Sequence, residues 1–126
     1  MSKLVERRKY RRFGIPGGEA KIGRLSGYAL LKPFSKPYPV LNMCIGGANI
    51  LCNREFDTGE DLMLEVYAPD EKAMRLRAKV IWSNSVPISN DILIGLAFSP
   101  FGDERHLNPS DAMLVLRKLY ARYIED

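Results

Sequence analysis

Arg75-Leu76-Arg77-Ala78-Lys79-Val80-Ile81-Trp82 alternates charged and apolar residues, so that Leu76, Ala78 and Val80 share one face. A period of two marks a strand with one buried side, and this stretch decides the fold class. Downstream, Ile92-Leu93-Ile94-Gly95-Leu96-Ala97-Phe98 is almost wholly apolar and reads as a strand buried on both sides. The polar, proline-containing segment from Asn84 to Asp91 reads as the turn between the two. Upstream, Leu62 to Tyr67 is a further strand, closed by Pro69-Asp70 and preceded by an Asp57-Thr58-Gly59 turn. Val40 to Cys44 and Ala48 to Cys52 are two more, joined through Gly46-Gly47. Gly27 to Pro39, with Pro33, Pro37 and Pro39, reads as a loop with short edge pairing, and Glu19 to Leu25 alternates again as a strand. Only the C-terminus has helical spacing, over residues 109–124. Asn108 is placed to cap it, Pro109 suits its first turn, and Ala112, Leu116, Leu119 and Tyr123 form an apolar stripe. Several strands with hairpin-length connections and one amphipathic helix predict a mainly β antiparallel barrel or sandwich carrying a C-terminal α-helix.

The 126 residues amount to one domain, with 46% apolar and 27% charged side chains. No apolar run approaches the roughly 18–20 residues of a membrane span, and the N-terminus lacks a signal-peptide stretch, so a cytoplasmic location is expected. Cys44 and Cys52 lie in apolar strands without neighbouring histidine or cysteine and are expected to be buried free thiols. The net charge is +4, but its distribution carries more meaning than its sum. Residues 1–12 hold Lys3, Arg7, Arg8, Lys9, Arg11 and Arg12 against Glu6 alone, a local charge of +5, whereas the remainder is −1. Residues 1–13 therefore form a basic arm, and residues 14–126 a nearly neutral body ahead of and including the helix. An anionic partner is expected at the arm. A nucleic-acid partner is not expected, because the body shows no basic stripe and no stacking platform of aromatics.

Chemistry-bearing motifs are sparse. The single histidine, His106, sits among charged and loop-forming residues and reads as a surface side chain. No metalloprotease, nucleophile-elbow, phosphate-loop or cysteine–histidine metal pattern occurs, so neither catalysis nor a cofactor is expected. In Glu6-Arg7-Arg8-Lys9-Tyr10-Arg11-Arg12-Phe13, by contrast, arginine outnumbers lysine four to one. A guanidinium donates two parallel hydrogen bonds to a phosphate or to the O6/N7 edge of guanine, which an ammonium cannot do. A solvated basic tail is the plain alternative. A second cluster is Asn42-Met43-Cys44-Ile45-Gly46-Gly47: paired glycines permit a bulge or the close approach of a ligand, and an amide within an apolar run requires a specific partner. Its plain alternative is a Gly-Gly hairpin with the asparagine satisfied by backbone.

Together the two clusters resemble the PilZ family of cyclic di-GMP receptor domains, marked by RxxxR and, some 20–40 residues on, by (D/N)xSxxG. Arg8-Lys9-Tyr10-Arg11-Arg12 matches the first motif; Arg7 to Arg11 has the same spacing, and the apolar Phe13 after Arg12 favours the former. Asn42 and Gly47 match the second motif, with Gly46 also common there, and Ala78 to Trp82 and Ile94 to Phe98 are similar to the family's late strands. The resemblance implies a six-stranded antiparallel β-barrel that binds cyclic di-GMP through Arg7, Arg8, Arg12, Asn42, Cys44, Gly46 and Gly47. It implies a stand-alone receptor whose arm orders on the ligand and relays the signal to an unidentified downstream protein. Trp82 is expected either beside that site or in the core. One position departs: Cys44 stands where the motif has serine, and a thiol is a weaker hydrogen-bonding group than a hydroxyl. Such a domain is expected either to bind more weakly or, as the alternative, to serve as a protein-interaction adaptor that no longer binds nucleotide.

Overall fold

The computed structural model describes residues 11–25 and 34–124. Six strands close into an antiparallel barrel: β1 (Glu19–Arg24), β2 (Tyr38–Cys44), β3 (Gly47–Cys52), β4 (Asp61–Tyr67), β5 (Met74–Ser85) and β6 (Ile92–Phe98). Their order around the barrel is β1-β2-β3-β6-β5-β4. Two short parallel strands, β7 (Phe101–Gly102) and β8 (Asn108–Pro109), lead into the helix α1 (Ser110–Tyr123).

The expected alternation is what makes the barrel. Along β5, Met74, Leu76, Ala78 and Val80 are buried while Arg75, Arg77 and Lys79 face water. The same inward rows from β1, β4 and β6 contribute Ile22, Leu62, Leu64, Val66 and Ile94, all 0–1% exposed. Each such aliphatic side chain stabilises the fold by roughly 1.5–3 kcal/mol. The helix buries Ala112, Leu116 and Leu119 on this core. It is fastened to the β4–β5 turn by Glu71, whose carboxylate pairs with Lys118 at 3.4 Å and with Arg122 at 3.0 Å.

Several sequence expectations are corrected. β6 is not buried on both sides: Ile94 and Leu96 enter the core, while Leu93 and Ala97 lie half-exposed on the outer face. β5 continues through Asn84 and Ser85, which pair with Leu93 and Ile92, so the turn is shorter than Asn84–Asp91. Pro39 lies within β2, where its missing N–H costs no ladder bond: the Val40 N–H faces the β1 side, bonded to the Gly18 carbonyl, so the Pro39 nitrogen faces β3, whose pairing with β2 begins only at Val40↔Ile50. The body does carry a row of cations on the outer face of β5, although Arg75 is tied to Glu65 at 3.0 Å and Lys79 to Asp61 at 3.6 Å on β4. The helix proper runs from Ser110 to Tyr123, since Pro109 and Ile124 flank it with extended backbone.

Asn108 does not cap the helix. No side chain caps it, and Asn108 is instead buried at 1% exposure. Its Oδ1 accepts from the Arg77 N–H at 2.6 Å, and its Nδ2 donates to the carbonyls of Arg77 and Ser99 at 3.0 and 2.9 Å. The side chain thus supplies the hydrogen bonds of a missing strand partner beside β5. Asn108→Ala leaves the Arg77 N–H and the Ser99 carbonyl without this partner, while the Arg77 carbonyl keeps its bond from the Ser99 N–H at 2.9 Å, and is expected to cost about 1–3 kcal/mol in urea unfolding. Asn108→Asp, which keeps the acceptor but cannot donate, should lose a similar share; a wild-type midpoint for both would show that the clamp contributes nothing.

Candidate functional site

The seam between β1 and β2 is where the arm meets the body. Below the two β1–β2 pairs the chain bends through Ile15–Gly18, closed by a Gly18 N–H to Ile15 carbonyl bond of 2.8 Å, with Gly17 at φ +77°, a conformation that glycine adopts without penalty. The chain then returns to β2: Phe13 and Met43 form an antiparallel bridge, each donating its N–H to the other's carbonyl at 2.8 Å. Phe13 is 3% exposed, and its ring meets Tyr120 of α1 edge-on at 5.9 Å between centroids. Since Phe13 and Met43 both point inward, the flanking residues point out. The bridge register therefore sets Arg12 opposite Cys44 and Gly14 opposite Asn42.

Two bulges shape the outer face. Leu41 is the extra residue between Val40↔Ile50 and Asn42↔Asn49, and Ile81 the extra residue between Val80↔Leu96 and Trp82↔Gly95. Pairing through β3 and β6 then lines up two outward rows across four strands. One is Asn42, Asn49, Gly95 and Trp82; the next is Cys44, Gly47, Ala97 and Lys79. Within the first row the Asn49 Nδ2 donates to the Asn42 Oδ1 at 2.9 Å. The asparagine thus has the partner that its apolar surroundings demand, and the partner is a side chain rather than backbone. Trp82 lies outside the core, its ring laid over Gly95: a Cβ there would stand 2.2 Å from Cε2. Gly47 is equally constrained, because its Cβ would stand 2.1 Å from the Leu96 carbonyl oxygen on β6. Ile45 and Gly46 form the hairpin turn, held where the Gly46 carbonyl accepts from the Phe98 N–H at 2.8 Å. Small residues at Gly47 and Ala97 leave a shallow strip between Cys44 and Lys79, and in the adjoining row the Trp82 ring covers Gly95 beside Asn49 and Asn42.

Between the arm and the end of α1 a cavity of about 700 Å³ is lined by Arg11, Arg12, Pro16, Leu41, Arg122 and Tyr123, among others. Of the sequence-expected site residues, the structure brings Arg12, Asn42, Cys44, Gly46 and Gly47 to one edge of the barrel. Arg7 and Arg8 lie outside the described residues. Cys44 and Cys52 are both free; Cys52 is buried and Cys44 only half-buried, which corrects the expectation of two buried thiols. Burial pushes the Cys52 thiol above its ordinary range. No group of three or more potential metal ligands occurs among the described residues. No helix among them is long and apolar enough to cross a membrane.

A profile of the PilZ domain matches residues 6–109. The chain belongs to the PilZ domain family. Its barrel is similar to the c-di-GMP-bound PilZ domain of YcgR from Escherichia coli, with 14% identity, a TM-score of 0.63, and coverage of 92% of this chain and 90% of that one. It is also similar to the Bacillus subtilis inhibitor of motility MotI/DgrA, at 18% identity and a TM-score of 0.64. A third similar structure is MrkH, a c-di-GMP-dependent transcription regulatory factor, at 10% identity and a TM-score of 0.65. Both matches cover 91% of this chain, which spans 50% of either protein. At such identities the likeness is one of fold. No curated protein sequence matches. The six-stranded barrel with its C-terminal helix, inferred from the resemblance, is the PilZ-like fold observed.

Asn49 and Gly95 are the PilZ-strip residues that sequence reasoning missed. Asn49 had a faint signal, as a second amide within an apolar strand. Gly95 was hidden inside a run that reads as uniformly buried. Gly95→Ala should push the Trp82 ring off the strip, shifting the emission of the only tryptophan and costing about 1–3 kcal/mol, as overpacking does. Unchanged fluorescence would show that the ring does not rest on that glycine. Brief iodoacetamide treatment of the native protein at neutral pH should label Cys44 well before Cys52, as read by peptide mass spectrometry; equal labelling would mean that the barrel opens readily.

Proposed function

We propose that this PilZ domain is a non-enzymatic receptor for cyclic di-GMP, bound between the arginine-rich arm and the outer strip of β2 and β3. The observation that carries this reading is the Phe13–Met43 bridge, whose register sets the last arm arginine opposite Cys44 and next to the Asn42–Asn49 pair. Two halves of a site that are some thirty residues apart in sequence become neighbours through two backbone hydrogen bonds. In this reading Arg7, Arg8 and Arg12 supply bidentate donors to phosphate and guanine, and Asn42 supplies an amide to the ligand's edge. Gly46 and Gly47 keep the hairpin low enough for the dinucleotide to approach the backbone. Cys44 contributes shape and only weak hydrogen bonding. Family membership, and the c-di-GMP held by the similar YcgR domain, support the choice of ligand.

The same bridge suggests a relay. Phe13 is packed against Tyr120, so a ligand that draws Arg12 toward Cys44 pulls on a residue that also braces α1. The helix would then present the bound state to a downstream protein. A second reading rests on Cys44: with the motif's hydroxyl lost, the domain serves as a protein-interaction adaptor without nucleotide.

Isothermal titration separates the readings. The receptor reading expects saturable binding of cyclic di-GMP, largely removed by Arg8→Ala or Arg12→Ala, and tightened by Cys44→Ser up to about tenfold. Absence of binding at tens of micromolar ligand and low salt, with binding created by Cys44→Ser, would favour the adaptor. Binding that falls steeply with salt and ignores the base would point to a general polyanion site instead.

A further inference from the structure

We infer that Asn49 sets the ligand's base preference by fixing which end of the Asn42 amide faces the site. The inference rests on the receptor reading and deepens it. Asn49 is 8% exposed and stands opposite Asn42 in the β2–β3 register. Its Nδ2 donates to Asn42 Oδ1 at 2.9 Å, which turns that oxygen toward β3. The Asn42 Nδ2 has no hydrogen-bond partner among the described residues and lies on the side of the amide away from Asn49. Asn42 is half-buried and one row from Cys44, on the face that the arm borders.

An amide held this way offers donors to what binds there. Guanine carries acceptors at O6 and N7, and phosphate oxygens accept as well, whereas adenine carries a donor at N6 where guanine has O6. A fixed donor therefore favours guanine and opposes adenine. A freely rotating asparagine would turn its oxygen to adenine and lose most of that discrimination. Asn49 is thus a positioning residue: it acts through Asn42 rather than by touching the base.

The test is titration of the full chain with cyclic di-GMP and cyclic di-AMP, comparing the unaltered protein with Asn49→Asp and Asn49→Leu. The aspartate accepts from Asn42 Nδ2 and so turns the Asn42 oxygen outward. Cyclic di-GMP affinity should fall by about three- to tenfold, and the guanine-over-adenine ratio should fall with it. The leucine frees Asn42, and the ratio should drop to an intermediate value even where melting temperature is unchanged or raised. A loss of stability alone moves both ligands equally and leaves the ratio where it was, so the ratio distinguishes positioning from packing. If the unaltered protein binds cyclic di-GMP and both variants keep its ratio, or if the aspartate binds guanine more tightly, the inference about Asn49 is overturned while the receptor reading stands. If the unaltered protein binds neither dinucleotide, the receptor reading fails and the inference falls with it.

Discussion

Two backbone hydrogen bonds between Phe13 and Met43 hold together what the rest of this molecule uses. β1 leaves most of one edge of β2 unpaired, and an open edge exposes donors and acceptors that must find partners. The segment before β1 satisfies part of that edge, and the Val40 N–H is satisfied by the Gly18 carbonyl at 3.1 Å. Phe13 then buries its ring between barrel and helix, a stabilisation that an exposed tail could not offer. The base of a charged arm is thereby made part of the core, and its side-chain alternation becomes locked to that of β2.

The outer strip follows from a different constraint, close approach. Neighbouring strands lie near 4.8 Å apart, so side chains crossing a row occupy the space above their neighbours. The Trp82 ring needs the room that Gly95 leaves, and the Leu96 carbonyl takes the space that a Gly47 side chain would fill. The bulges at Leu41 and Ile81 turn the rows so that Asn42, Asn49, Gly95 and Trp82 fall in line. A surface of small residues between an amide pair and an indole results from packing rules alone, whatever it binds.

Charge is handled differently in the two parts. Five cations of the body have acidic partners: Arg24 with Glu60 at 2.7 Å, Arg75 with Glu65, Lys79 with Asp61, and Lys118 and Arg122 with Glu71. Where both partners are exposed such a pair stabilises by about 1 kcal/mol or less, and the residues after the arm carry a net charge of only −1. The arm carries no comparable supply of acids in its own sequence, since Glu6 is its only one. The excess positive charge of the chain therefore belongs to the arm, and of its described residues Arg12 stands opposite Cys44 at the border of the strip.

The sequence by itself determined the strand content, the inward rows and the helix, because a period of two or of 3.6 in hydrophobicity is local and burial follows it directly. It also determined the polarity of the arm and the two motif segments, which are contiguous residues. The arm's register on β2, the Asn42–Asn49 pair, the indole over Gly95 and the clamp made by Asn108 were decided only by tertiary structure. Each of these depends on which strands become neighbours and on where a bulge shifts the pairing by one residue. A one-residue shift reverses the face of every side chain beyond it, so no local pattern encodes the outcome. Asn108 shows this most plainly: its position before a helix suits a cap, yet backbone groups of Arg77 and Ser99 compete for the same amide and win.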